Sequence, residues 1–184
     1  DNVVALPGGR APEPSAPSAA DSDAQIAKVA PEGTALHGNL KAIAAADRSF
    51  DPGRFLEGAR TAYEMIVMAF AAGDRKTLKP LLSKEVFDGF AAAIGERESR
   101  GEKAESTFVG IDKAEIVDAV LKGDVGQLTV RFRSELISLT RARDGTVIDG
   151  DPNKVVEVVD VWTFARDVGS RDPNWKLVAT ESAE

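Results

Sequence analysis

At 184 residues the chain has room for one domain of ordinary size plus an appendage. Thirty Asp and Glu against 23 Lys and Arg leave a formal charge of -7, which argues against a nucleic-acid groove and disfavours a broad electrostatic grip on anionic lipid. With no cysteine and one histidine, His37, the chain has no disulfides, no thiolate nucleophile and no multi-histidine zinc site.

Five of the nine prolines fall at or before Pro31, and every aromatic residue lies at Phe50 or later. Residues 1–33 therefore read as a Pro/Ala/Gly-rich flexible linker that cannot bury a core. Over 34–49 a short pre-domain helix is expected, with Leu36, Leu40 and Ile43 on one face. It packs on the domain or serves as an interfacial helix, although Lys41 and His37 are few cations for a membrane surface. His37, beside Gly38, is expected to be exposed.

Asp51-Pro52 announces a strong helix: Asp51 can cap, and Pro52 suits the first helical position. Phe55, Ala59, Tyr63, Ile66 and Phe70 recur at helical spacing, and Met65 and Met68 make the end of the helix apolar nearly all round, predicting a central, buried element with the methionines as core filler. The apolar run at 65–72 falls far short of the roughly 20 residues that span a bilayer. Gly73 is the expected stop. Asp74 then caps a short segment bent at Pro80, and Ser83 caps a helix to about Gly101 with Val86, Phe87, Phe90 and Ile94 inward.

After Gly101 the period becomes strand-like. Residues 108–121 and 128–140 alternate well enough to pair across Lys122-Gly123-Asp124, and Asp144-Gly145 is a turn signal. A third long strand is expected over 155–166 and a short one over 175–180. Helices followed by an antiparallel meander make an α+β fold, and strands this long must twist and bulge, so the sheet should curl around the first long helix as a cone with one open end. The Asp149-Gly150-Asp151-Pro152-Asn153 run reads as a turn rather than a calcium loop, because it lacks the ligand spacing and terminal Glu of an EF-hand.

An ordered series of residues carries a family resemblance. Phe50-Asp51-Pro52-Gly53-Arg54-Phe55-Leu56-Glu57-Gly58-Ala59-Arg60 leads into Tyr63 and Ile66. Ala72-Gly73-Asp74, Leu81-Leu82-Ser83-Lys84-Glu85-Val86-Phe87, Asp160-Val161-Trp162-Thr163-Phe164-Ala165-Arg166 and Asp172-Pro173-Asn174-Trp175-Lys176-Leu177 follow. Over 50–184 this resembles the C-terminal domain of the Tim44-like family. The resemblance implies a cone related to the nuclear transport factor two-like and cystatin-like folds, with no established catalytic centre and no cofactor. It also implies a scaffold tethered to the bacterial inner membrane by a segment preceding Asp1, with the domain on the cytoplasmic side. The implied partners are membrane lipid or an inner-membrane protein-transport component, with no nucleic acid and no metal.

Within Asp160-Val161-Trp162-Thr163-Phe164-Ala165-Arg166, alternate residues share a face, so Trp162 and Phe164 read as core with Asp160 and Arg166 near the sheet ends or paired. A functional alternative places Tyr63, Phe90, Phe132 and Trp162 at the mouth of the cone, where they would accept an acyl chain or a partner's apolar side chain. A third reading pairs Asp160 with Tyr63 as acid–base partners of an enzyme, which requires both groups to converge on one cavity. A lipid or small-molecule carrier without chemistry is the remaining possibility.

Overall fold

The computed structural model describes residues 19–183, so most of the expected linker, residues 1–18, lies outside it. The linker expectation does not hold from residue 19 onward. Helix α1 spans Ala19–Ala27, and Ile26 and Ala30 are fully buried in the domain core. One isoleucine among Ala, Asp and Gln carries no visible period, which is why composition alone reads this stretch as a tether.

Helix α2, Ala35–Ala46, starts from Thr34, whose hydroxyl accepts the His37 amide. Its Leu40 and Ile43 are completely buried. His37 is buried too, at 7% exposure, because its Nδ1–H donates to the Ala30 carbonyl at 3.0 Å. The imidazole thus joins α2 to the segment after α1, and the expectation of an exposed histidine is corrected. A polar ring with a carbonyl partner can enter a core at little cost.

Helix α3, Pro52–Ala72, is capped by Asp51, whose carboxylate accepts Gly53 and Arg54 amides at 2.8 and 3.2 Å. It ends at Gly73 with φ 70°, the left-handed conformation that glycine adopts without a Cβ penalty. Short helix α4, Arg75–Leu78, runs into a 3-10 turn at Lys79–Leu81, and α5, Lys84–Ser99, begins from Ser83. Arg97 on α5 donates to the Phe70 and Ala71 carbonyls at 2.9 and 3.1 Å and lies 5.4 Å from the Phe70 ring centre. It neutralises the negative end of α3, gives the Ala71 carbonyl a donor and adds a second donor to the Phe70 carbonyl, which also accepts the Gly73 amide at 3.2 Å. Arg97→Met should therefore cost about 1–2 kcal/mol in urea unfolding; a loss near zero would mean that Gly73 closes the helix unaided.

Strands β1 (Lys103–Lys122), β2 (Val125–Arg141), β4 (Val156–Asp167) and β5 (Lys176–Ser182) form an antiparallel sheet in the order β1-β2-β4-β5. The four-residue β3, Val147–Gly150, pairs with the far end of β2 and is too short to announce itself by alternation. Asp149 and Gly150 of the acidic run belong to this strand, and Asp151 accepts the Asn153 amide at 2.8 Å as turn chemistry requires. Register shifts leave Val109, Asp112 and Val117 of β1 as bulge residues, and bulges bend a strand and sharpen its twist. The sheet curves over α3 without closing into a barrel. Phe55, Ala59, Tyr63 and Ile66 of α3 meet Leu128, Val130 and Phe132 of β2 and Trp162 and Phe164 of β4 in one core. At the β5 edge the Ser83 amide donates to the Leu177 carbonyl at 2.9 Å.

Candidate functional site

The Asp160, Trp162, Phe164 and Arg166 set occupies the core-facing side of β4, and both of its charged ends are engaged inside the domain. At one end the Arg166 Nη1–H donates to Asp47 Oδ2 at 2.6 Å, with the two side chains only 10% and 14% exposed. The same guanidinium donates to the Asp172 and Ser170 carbonyls at 2.9 and 3.1 Å. It thereby ties the end of α2 to the β4–β5 connection. At the other end the Tyr63 hydroxyl donates to Asp160 Oδ2 at 2.7 Å and lies 2.9 Å from the hydroxyl of fully buried Ser134. Burial pushes the Tyr63 phenol above its ordinary range; the Ser134 bond opposes this and the Asp160 bond and charge add to it. Burial likewise raises the Asp160 carboxyl, against the donation from Tyr63.

Three of the four expected pocket aromatics come together. Tyr63 stacks on Phe132 with centroids 4.4 Å apart and lies 4.6 Å from Trp162, all three being buried. Phe90 is elsewhere: it sits on α5 against Phe70 at 5.1 Å. Helical periodicity locates the inner face of α5 but not which neighbour it meets. None of the four lines the 740 Å³ groove along α3 or the smaller depression beside Arg60 and Phe108, and neither does Asp160. The Asp160–Tyr63 pair thus meets, packed against Phe132 and Trp162.

A cavity of about 740 Å³ lies along α3. Its floor is Phe55, Ala59, Ala62 and Phe164, its walls are Phe50, Met65, Leu81 and Trp175, and Asp51, Arg54 and Asn174 stand among its polar residues. Small residues on α3 make the depression; around Gly58 a Cβ would meet nothing within 4 Å. The 3-10 turn with Pro80 and the β4–β5 connection with Pro173 form its two banks. Trp175 is braced by Phe55 and Phe50, with centroids at 5.1 and 6.1 Å. Met65, expected in the core, is 43% exposed and belongs to this groove. The apolar appearance of that end of α3 thus comes partly from residues facing an open depression. Trp175 and Phe50 were readable as part of the family series, but nothing in their spacing placed them across a groove from each other.

Among the described residues no helix is long and apolar enough to cross a membrane, and no cluster of three or more His, Asp or Glu could hold a metal ion. A family model described as the Tim44-like domain matches residues 36–182. That span begins inside α2, which the structure packs into the same core as α3. The chain is similar to the mitochondrial import inner membrane translocase subunit TIM44 of Homo sapiens, with 25% identity over 142 residues, covering 76% of this chain and 31% of that protein. It is also similar to the uncharacterized protein RP434 of Rickettsia prowazekii (strain Madrid E), with 26% identity over 129 residues, covering 70% of this chain and 51% of that protein. Among solved structures, a protein of the NTF2-like family from Streptomyces avermitilis aligns at 16% identity with a TM-score of 0.35, covering 70% of this chain and 94% of that one. The chain spans about a third of the length of the translocase subunits it matches.

Proposed function

The chain belongs to the Tim44-like domain family, and on that premise we propose that it is a non-enzymatic adaptor of the bacterial inner membrane. In this reading it is tethered to the membrane with its domain facing the cytoplasm. Its groove holds either an apolar segment of a protein-transport component or a lipid chain. The observation that carries this is the groove between α3 and the β4–β5 connection, about 740 Å³ in volume with an apolar floor. That size and lining suit a ligand held by burial of apolar surface, oriented by a few polar groups at the edge. The relatives that are named as inner-membrane translocase subunits support the setting. The internal engagement of Tyr63 with Asp160 supports a binding role over acid–base chemistry.

The net charge of -7 gives a further expectation: capture should depend on the groove and respond weakly to salt. Gly58→Leu provides the test. It fills open space in the groove while replacing a helix-interior glycine, so it should leave stability unchanged or raise it by up to about 1 kcal/mol. Flotation with phosphatidylethanolamine–phosphatidylglycerol vesicles and pull-downs from detergent extracts of inner membrane separate the two ligand sources. Binding in one arm, reduced at least tenfold by Gly58→Leu, is the expected result. Absence of binding in both arms, or equal binding by wild type and variant, would remove the groove from consideration.

A further inference from the structure

The helices gather on the concave face of the sheet, and strand alternation puts a second set of side chains on the opposite face. Along β4 that outer face runs Val159, Val161 and Thr163, uncharged and half-buried by their cross-strand neighbours. The Thr163 hydroxyl is bonded to that of Thr129 on β2 at 3.0 Å, so the middle of the face presents little unmet polarity. Charges flank this strip in an ordered way. Arg131 on β2, Val161 on β4 and Glu181 on β5 stand side by side in one cross-strand row. Arg131 and Glu181 are both exposed and neither makes an ion pair among the described residues; Glu115, which stands across from Arg131 on β1, is paired with Lys113 at 3.6 Å instead. An uncharged strip with an unpaired cation on one side and an unpaired anion on the other, at the same level, is self-complementary.

We infer that this face packs against the same face of a second copy of the chain, around a two-fold axis running along β4. Such an axis keeps each row at its level and exchanges the strands on either side. Arg131 of each copy then faces Glu181 of the other, while the β4 strips meet in the middle. Stacked sheets lie about 10 Å apart and cross at about 30°, and strands beside the axis are only about 5 Å from it, so the crossing shifts the facing rows by about 2–3 Å. Side chains as long as Arg and Glu span that offset. Strand β1 lies two strands from the axis on one side, with no counterpart beyond β5 on the other, so three strands make the contact. Their footprint, about 15 by 30 Å, is small for a specific interface, so the association should be weak, with a dissociation constant well above the micromolar range.

Sedimentation velocity of the whole chain from about 10 µM to about 1 mM is therefore the measurement, over a range chosen to bracket that affinity. A monomer–dimer equilibrium is expected. Arg131→Glu and Glu181→Arg should each weaken it at least tenfold by setting like charges face to face, and the double exchange should restore it to within about threefold. Val161→Lys should abolish it. Restoration by the second exchange is something that damage to the fold could not produce. A chain that stays monomeric throughout, as it would if the face served a different protein, overturns the inference; so does a dimer indifferent to the Arg131 and Glu181 exchanges.

Discussion

Arg166→Met should lower the unfolding free energy by about 3 kcal/mol, and the melting temperature by about 6–12 °C for a domain of this size. The cost comes mainly from what is left behind. Asp47 is the residue after α2, so its carboxylate sits at the negative end of that helix, where an anion is disfavoured. It keeps the Ser49 amide and hydroxyl, at 3.0 and 2.6 Å, but without Arg166 its second oxygen is left without its ion-pair partner at the largely buried end of the groove. The Ser170 and Asp172 carbonyls lose their donors as well, so the β4–β5 bank of the groove should loosen. Asp47→Asn alone should be milder, about 1–2 kcal/mol, because the amide keeps an acceptor and Arg166 keeps both carbonyls. In the double variant a neutral amide replaces the stranded charge, and about half of the Arg166→Met loss should return. Urea unfolding of the four proteins measures the coupling. The pair is largely buried, so the coupling should change little between 0.1 and 1 M salt. A coupling near zero would show that Arg166 acts through its carbonyl contacts alone.

The role of Arg166 also shows what can be read from sequence and what cannot. Alternation alone places Asp160, Trp162, Phe164 and Arg166 on one face of a strand, and helix ends were equally legible from Asp51-Pro52, Gly73 and Ser83, because capping and strand period are local physics. The identity of a partner is not local. Asp47 lies 119 residues from Arg166 and Tyr63 lies 97 residues from Asp160, and nothing in either neighbourhood encodes the other. The same limit explains His37, whose burial depends on a carbonyl seven residues away across a turn, and Ile26, one apolar side chain that finds a place only once α2 and α3 are packed. It also explains the groove. Gly58, Ala59 and Ala62 look like a close-packing face in sequence, whereas the structure leaves the depression above them open. Small residues on a helix signal either a close neighbour or a gap, and only the tertiary arrangement decides between them.

The second large effect is expected at Tyr63, and it should depend on pH. Tyr63→Phe keeps the ring that stacks on Phe132 and Trp162 but removes the hydroxyl that holds Asp160 and Ser134 together. Stranding a half-buried carboxylate and a fully buried hydroxyl should cost about 2–4 kcal/mol at pH 8. In the native protein burial already raises the Asp160 carboxyl above its ordinary value. A carboxyl raised on folding contributes stability that is complete below the unfolded value, about 3.9, and that is lost as pH climbs through the folded value. The Tyr63 donation opposes that rise. Losing it moves the folded value of Asp160 still higher, so the variant's penalty should be smallest near pH 4 and grow toward neutrality. Asp160→Asn removes the charge while keeping an acceptor for the phenol, so the part of the pH dependence that Asp160 contributes should disappear. Combined with Tyr63→Phe, it should reduce the penalty at pH 8 to roughly its value near pH 4. Urea denaturation at three or four pH values between 4 and 8 separates the cases. A Tyr63→Phe cost independent of pH would mean that the phenol matters to Ser134 and the aromatic stack, and that Asp160 is charged and solvated without it.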